Sequence, residues 1–313
     1  MEVFVSAVTR RLVLGGLAAT ATLSAVPATA TAGMRPDPVL DTSHATQRLV
    51  NQVTSLFRDK SAHSVERTMA HFARRPMYYT DATLGWYSPS WESLRAAFER
   101  FMPAWPASAR SYPTRLIGDK RSAIVLFTDT PEMFGHELRI MAAVDFYDGK
   151  VVRQVDYWDG RHATVEGTNQ LRVPDDQFPR TFGEEVVASQ SSPIIGEVAA
   201  RLTAGEVAGL FAEDAVFEDL TLRSELVGRQ SITGYLDRAS TSVPFRSGAI
   251  RHTVGSVQGG GFEWMRPNGT PTHGIVSFEL DAQQKITRLT SMWDGSRLTD
   301  AQILTLLGQT LER

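Results

Sequence analysis

Apolar residues recur at helical spacing in two early stretches of the chain, residues 43–58 and 61–74, and Ser61 is placed to cap the second. The stretch PMYYTDATLGW breaks this period and SWESLRAAFERFMPAW restores it. From Tyr112 onward apolar and polar residues alternate, as is typical of strands, through SAIVLFTD, ELRIMAAVDFY and KVVRQVDYW. The pattern predicts two helices, a short strand, a third helix and then a run of strands.

The same order returns later in the chain. We predict helices at IIGEVAARL and GEVAGLFAEDA, a strand at VFEDLTL, a helix at RQSITGYLDRAS, and strands at IRHTVGSV, GFEWMRP, HGIVSFEL and KITRLTSMW. Two pairs of residues align the copies: Asp81 in YTDATL with Asp219 in FEDLTL, and Trp158 with Trp293, each in a Trp-Asp-Gly that we interpret as a strand end and turn. The chain is therefore predicted to be a tandem repeat.

The repeat predicts the domain organisation. We place the first domain over residues 43–162 and the second over 193–298, with a polar linker at 163–192 between them. Residues 299–313 form a predicted C-terminal amphipathic helix. The glycines at 259–261 are interpreted as turn residues, because no phosphate-binding strand and helix flank them.

The first 32 residues have the pattern of an export signal. Arg10 and Arg11 precede a short apolar run rich in Ala, Gly and Thr, and small residues at Ala28 and Ala30 offer a cleavage site. The arginine pair is typical of a twin-arginine signal, and the alternative is an ordinary secretory signal with a chance arginine pair. Both interpretations predict a secreted or extracytoplasmic bacterial protein, with no membrane span in its mature form.

Composition narrows the chemistry. The chain has 313 residues, of which 42% are hydrophobic, so it is long enough for two modest cores. The net charge of −3 offers no basic stripe for nucleic acid. Cysteine is absent, and the seven histidines show no metal-binding spacing. No phosphate loop or dinucleotide fingerprint occurs. We therefore expect no metal and no cofactor.

The stretch AGEVAGLFAEDAVFEDLTLRSELVGRQSITGYLDRA resembles the NTF2-like superfamily, and within it the SnoaL-like polyketide cyclases and the ketosteroid isomerases. The resemblance implies an α+β fold of two cones, each a curved antiparallel sheet wrapped on its N-terminal helices around a pocket. It also implies that Asp81 and Asp219 stand where the isomerases carry their proton-shuttling carboxylate. An aspartate that loses water in an apolar pocket has a raised pKa and can move a proton next to a carbonyl.

The sequence departs from the isomerases at the groups that stabilise the oxyanion. Glu197 or Val198 and Val276 occupy those places in the second copy, and Ala143 occupies the strand place in the first. Fused pairs of such domains also resemble the epoxide hydrolases that build polyether rings, which add a second acid one strand later. Only Asp119 lies near that place.

Strand alternation predicts which side chains face each pocket. Because residues two apart share a face, Asp156 would face the same way as Trp158. On the preceding strand, we expect Asp145 to face inward with Ala143. In the second copy the residue two before the tryptophan is Ser291.

Three acids would then meet in the first pocket: Asp81, Asp145 and Asp156. Like charges in a dry site cannot all ionise, so one becomes a proton donor while another acts as a base. The competing interpretation is a register shifted by one residue, which turns Asp145 and Asp156 to solvent. The predicted lining residues are Tyr79, Trp86, Trp158, Phe278 and Trp293.

These features predict an exported protein that performs acid/base chemistry without a cofactor on a hydrophobic small molecule: isomerisation, cyclisation or hydrolytic ring opening. Asp81 would be the base and Asp156 or Asp145 the acid, and the two domains would form an internal pseudo-dimer. Two alternatives stay open, a binding module without turnover and an epoxide hydrolase or cyclase of the fused polyether type. A purely structural role would predict cones filled by side chains.

Overall fold

The computed structural model describes residues 38–311, so the predicted export signal lies outside the described part of the chain. The helices are α1 Gln47–Ser61, α2 Val65–Met69, α3 Trp91–Phe101, α4 Pro131–Phe134, α5 Val165–Leu171, α6 Pro193–Ala204, α7 Arg229–Arg238 and α8 Asp300–Gly308. Short 3₁₀ turns cover Met102–Ala104, Asp175–Gln177 and Gly295–Arg297. No helix within residues 38–311 has the length and apolar character that a membrane crossing needs.

Thirteen strands form two sheets in the described residues. The first seven are β1 Asp41–Ala45, β2 Tyr78–Asp81, β3 Trp86–Ser88, β4 Ser111–Gly118, β5 Ser122–Asp129, β6 Leu138–Tyr147 and β7 Lys150–Tyr157. The remaining six are β8 Phe211–Asp219, β9 Ser224–Val227, β10 Ala249–Ser256, β11 Gly259–Met265, β12 His273–Leu280 and β13 Ile286–Trp293.

The two sheets share a six-stranded topology, and the first sheet adds β1, which pairs with β4 in parallel. The first has the order β1-β4-β5-β6-β7-β2-β3 and the second the order β10-β11-β12-β13-β8-β9. In each, a four-stranded antiparallel meander is extended by a hairpin whose first strand runs parallel to the last meander strand, β2 beside β7 and β8 beside β13. The predicted α+β class is confirmed.

One face of each sheet packs against the helices of the same copy. Val53 and Phe57 of α1 and Leu94 of α3 are buried in the first core. Ile195 of α6 and Ile232 of α7 are buried in the second. Burial of these apolar side chains is what holds each amphipathic helix on its sheet.

The opposite faces of the two sheets pack on each other through β4, β5 and β6 on one side and β10 and β11 on the other. Ile275 and Met292 of the second sheet are buried within the first core as a result. Gly261 permits this close approach, because a Cβ atom there would lie 2.8 Å from Cδ1 of Ile124. The prediction that residues 259–261 form a turn is therefore wrong, since they begin β11.

Two helix predictions are also wrong. Ser61 ends α1, and Ser64 caps α2 instead by accepting a hydrogen bond from the backbone of Arg67. The stretch GEVAGLFAEDA is not helical: α6 ends at Gly205 in the left-handed region, φ 84°, and β8 begins at Phe211. Pairing with β13 overrides the helical spacing of its apolar residues.

Candidate functional site

Asp81 and Asp156 are register partners on the adjacent parallel strands β2 and β7. Tyr79 lies opposite Gln154 in the same ladder, and Trp86 of β3 lies opposite Asp81. Residues in register project to the same face of a sheet, so these five side chains share the face that covers α1. The structure thus brings together four of the residues that the sequence singled out in the first copy.

Asp156 is the buried member of the pair, with only 6% of its surface exposed. The hydroxyl of Tyr79 donates to one carboxylate oxygen at 2.8 Å, and Nε2 of Gln154 donates to the other at 2.9 Å. Loss of water raises the pKa of Asp156 to about 6, against the two hydrogen bonds, which favour the charged form. Burial raises the pKa of Tyr79 as well, and the charge of Asp156 adds to that rise.

Asp81 accepts hydrogen bonds from Nε1 of Trp158, at 3.2 and 3.1 Å from its two oxygens, and from the backbone of Leu84 at 2.9 Å. Desolvation raises the pKa of Asp81 to about 7, and the neighbouring charge of Asp156 contributes to the rise. Both carboxyls therefore have a pKa raised towards neutrality, with that of Asp81 the higher. Such a pair can both take and return a proton.

A salt bridge lies close enough to influence the acid pair. Nζ of Lys60 contacts the two oxygens of Asp129 at 3.0 and 3.2 Å, and Ser111 donates a short hydrogen bond to the same carboxylate. The positive charge of Lys60 lowers the pKa of Asp156 while the negative charge of Asp129 raises it. The bridge thus adds little net charge to the site.

The second copy repeats the hydrogen bonds around Asp81. Nε1 of Trp293 donates to Asp219 at 3.1 Å, and the backbone of Leu222 donates to Asp219 at 2.9 Å. The hydroxyl of Thr221 bonds the backbone of Trp293 in both directions, as Thr83 does with Trp158 in the first copy. The tryptophan of each Trp-Asp-Gly is therefore the hydrogen-bond donor to the pocket acid.

The sequence predicted these tryptophans to be packing or pocket-lining residues and did not predict that bond. The available signal was the presence in both copies of the same two motifs, Asp-x-Thr-Leu and Trp-Asp-Gly, with 77 positions from Asp81 to Trp158 and 74 from Asp219 to Trp293.

In the second copy the equivalent acid is closed to solvent and has no acid as its register partner. Asp219 is 2% exposed, and its register partner is Ser291 rather than an acid. Phe278 and Trp293 are fully buried beside it. Burial raises the pKa of Asp219 to about 6, with the hydrogen bonds from Leu222 and Trp293 opposing that rise.

Asp145 does not join the site, and its predicted placement is wrong. It pairs with Arg153 in the β6–β7 ladder, whereas Ala142 pairs with Asp156. Asp145 thus lies on the opposite face, where Nε2 of His252 from the second copy contacts its carboxylate at 2.7 Å. A register irregularity next to Asp145 and the turn after β6 set this face, and alternation within one strand fixes neither.

The two Trp-Asp-Gly turns lie against each other. The backbone of Gly295 donates to the carbonyl of Asp159 at 2.8 Å, and a Cβ atom on Gly160 would collide with the carboxylate of Asp294. Asp294 also bonds the guanidinium of Arg172 at 2.7 Å. The turn aspartates thus join the two copies as well as ending their strands.

A small cavity of about 10 Å³ lies beside Gln154 in the first core, which is room for roughly one water molecule. Asp81 and Trp86 are partly exposed, and the Trp86 ring stacks on Phe101 with centroids 6.5 Å apart. Asp81 is therefore the accessible end of the acid pair. In residues 38–311 no group of three or more His, Asp or Glu side chains is arranged to hold a metal ion.

No family model matches this sequence, and no curated protein gives a significant match. Solved structures do match, and each covers one part of the chain. A putative ketosteroid isomerase from Kribbella flavida is 21% identical, with 43% of this chain and 96% of that chain covered and a TM-score of 0.30. A SnoaL-like protein of unknown function from Burkholderia thailandensis is 12% identical, covering 36% and 96%, with a TM-score of 0.31.

A third match, an NTF2-like protein of unknown function from Burkholderia xenovorans, is 13% identical, covers 36% of this chain and 83% of its own, and has a TM-score of 0.31. The structural neighbours are thus NTF2-like, SnoaL-like and ketosteroid isomerase-like proteins. These are the classes that the sequence resembles.

Proposed function

We propose that the first copy, residues 43–162, binds a small carbonyl compound and moves a proton on it with Asp81. The observation that carries this proposal is the register pairing of Asp81 with Asp156, which holds two carboxyls side by side in a poorly hydrated site. A general base works best when its pKa lies near the working pH, and the pKa of Asp81 is raised to about 7.

The two acids have different roles in this proposal. Asp81 is the accessible carboxyl, so it takes the proton next to the carbonyl and returns it to another atom of the ligand. Both oxygens of Asp156 already accept hydrogen bonds, from Tyr79 and Gln154, so its charge is held in place. Asp156 therefore acts as the neighbour whose charge adds to the rise that burial causes in the pKa of Asp81.

Exchange of the α-hydrogens of cyclohexanone for deuterium in D₂O, followed by proton NMR, tests proton abstraction without knowledge of the natural substrate. We expect Asp81→Asn to lower the enzyme-dependent exchange rate about 100-fold, within the range that general acid/base groups supply. Asp219→Asn is the matched control, because it changes the equivalent acid in the sealed copy and should leave exchange unchanged. Full exchange by folded Asp81→Asn would contradict the proposal.

A binding module without turnover is the second candidate, and Ala143 favours it, because it stands at the strand place where the isomerases carry an oxyanion-stabilising group. Mass spectrometry of material extracted from the purified protein separates the two. A small molecule recovered unchanged after incubation supports binding alone, and a converted one supports catalysis.

The second copy has a structural role in this proposal. Its own acid is sealed, while its sheet buries the back of the first sheet. We propose that it stands where a second subunit would pack, as an internal pseudo-dimer. The arginine pair at Arg10 and Arg11 further supports export of the folded chain by the twin-arginine route.

A further inference from the structure

We propose that the second copy supplies a positioning residue, His273, that holds the Asp81 loop of the first copy in its working geometry. This loop is residues 82–85, directly after the acid at the end of β2. This inference rests on the proton-transfer function proposed above. His273 begins β12 of the second sheet, 192 positions after Asp81 in the sequence. A hydrogen bond nevertheless joins it to Ala82, the residue next to the acid.

The contact is made to the backbone next to the acid. Nε2 of His273 donates to the carbonyl of Ala82 at 2.8 Å. The backbone N–H of Ala82 donates to the carbonyl of Asp156, also at 2.8 Å. Both peptide groups that flank the Cα of Ala82 are thus fixed, one by the strand that carries Asp156 and the other by the second copy. Free rotation of the residue after Asp81 is prevented.

The imidazole is held in one tautomer. The hydroxyl of Thr272 lies 2.9 Å from Nδ1 of His273, so it can donate there while Nε2 keeps its hydrogen for Ala82. His273 is 8% exposed and its ring packs edge-on against Phe182, with centroids 5.3 Å apart. The ring therefore has a fixed orientation as well as a fixed proton.

The surroundings keep His273 neutral. Burial lowers its pKa to about 3, and the hydrogen bond to Ala82 opposes that change only in part. The charged groups that act on it are Arg251, Arg172 and Arg297, which all disfavour a positive ring. The positioning bond is therefore present throughout the neutral range in which Asp81 titrates.

The linker holds the other side of the same loop. The backbone of Val173 donates to the carbonyl of Leu84 at 3.0 Å, and the indole of Trp86 donates to the carbonyl of Leu171 at 2.9 Å. Gly85, with φ 77°, lies against Phe178, whose ring atoms would be 2.6 Å from a Cβ there. The Asp81 loop is thus packed against residues outside the first copy.

The test compares four variants of the full chain. His273→Phe keeps an aromatic ring and removes the donor, while His273→Gln restores an N–H near the position of Nε2. His252→Phe is the matched control, since His252 is also buried and also joins the copies, but it contacts Asp145 on the face away from the site. Thr272→Val is a milder fourth variant that removes the hydroxyl near Nδ1 without touching the core.

Two readouts separate positioning from stability. Carbon-13 NMR of labelled aspartate side chains gives the pKa of Asp81, and the cyclohexanone assay gives kcat and KM. We expect His273→Phe to lower the pKa of Asp81 by about one unit, because the loosened loop admits water. It should lower kcat about 10-fold, because the base is misplaced. KM should change little, because the residues that bind the ligand are not altered. His273→Gln should recover most of both, and Thr272→Val should show a smaller change in the same direction.

His252→Phe should lower the melting temperature and leave the pKa of Asp81 and kcat unchanged. The inference is overturned if folded His273→Phe, or Thr272→Val where His273→Phe does not fold, leaves the pKa of Asp81 at its original value. A wild-type protein that exchanges no cyclohexanone would count against the proposed function alone, because the NMR measurement tests the position of Asp81 without turnover.

Discussion

Trp158 donates its indole N–H to Asp81 from the end of the last strand of the first meander, and this bond fixes the carboxyl and lowers its pKa. A donor to a carboxylate favours its ionised form, so Trp158 opposes the rise in pKa that burial causes. The same bond joins Trp293 to Asp219 in the sealed copy. The tryptophan of the motif therefore donates a hydrogen bond to a partly exposed acid in one copy and to a buried acid in the other.

Replacement of Trp158 by Phe should raise the pKa of Asp81 above about 7, because the carboxylate loses a donor while its burial remains. The pH midpoint of cyclohexanone exchange should move upward accordingly. We also expect a loss of about 1 to 3 kcal/mol in the free energy of unfolding, measured by urea titration. Trp293→Phe should cost a similar amount and leave the pH profile unchanged. An unshifted midpoint in folded Trp158→Phe would mean that the bond does not tune the acid.

Asp156→Asn should move the same midpoint in the opposite direction. The amide keeps the size of the side chain and removes the negative charge that raises the pKa of Asp81. Exchange should therefore persist to lower pH, with a smaller loss of rate than Asp81→Asn causes. A profile shifted to higher pH would show that Asp156 does not act through its charge.

The buried Asp219 should make stability fall as pH rises. Its pKa is about 6 in the folded protein against an ordinary value of 3.8, so the folded state binds the proton more tightly than the unfolded state. The stabilisation is present below about pH 4 and is lost between about pH 4 and pH 6, by up to about 3 kcal/mol.

Asp219→Asn should remove this part of the pH dependence, because an amide does not titrate. Urea unfolding of both proteins at pH 4, 5, 6 and 7 gives the difference between them. The free energy of unfolding of the wild type minus that of the variant should decrease from pH 4 to pH 7. A constant difference would show that Asp219 titrates normally in the folded protein.

Asp145→Ala should destabilise the protein without affecting proton transfer. Asp145 is fully buried between the copies, 2.7 Å from His252 and 3.6 Å from Arg153, and loss of one partner from a buried charge cluster costs about 3 kcal/mol or more. Thermal unfolding reports the loss, and exchange measured below the melting range should equal that of the wild type. A large drop in kcat would show that Asp145 takes part in proton transfer.

Export through the twin-arginine route should depend on Arg10 and Arg11. We expect the double change to Lys, made in the full-length chain, to retain the protein inside the bacterial cell, as measured by cell fractionation and immunoblotting. Arg35→Lys is the control and should be exported normally. Unchanged export of the double variant would favour the ordinary secretory route.

The sequence predicted the repeat and the α+β class because both rest on periodicity, which each strand and helix carries locally. It could not predict the face of Asp145, since that depends on pairing with β7 across a turn and an irregularity. It misassigned residues 205–215 because apolar spacing there fits a helix as well as a strand. His273 went unassigned to the site because its role exists only where the two copies meet.

The correspondence of Asp156 with Ser291 has a consequence for how such a protein changes over generations. In a homodimer one gene encodes both sites, so any substitution appears twice and a loss of function cannot be confined to one subunit. Duplication within a single reading frame separates the two. One copy can then have a hydroxyl in place of the second acid and a filled interior. The other copy keeps the carboxyl pair and is stabilised by packing against the changed copy.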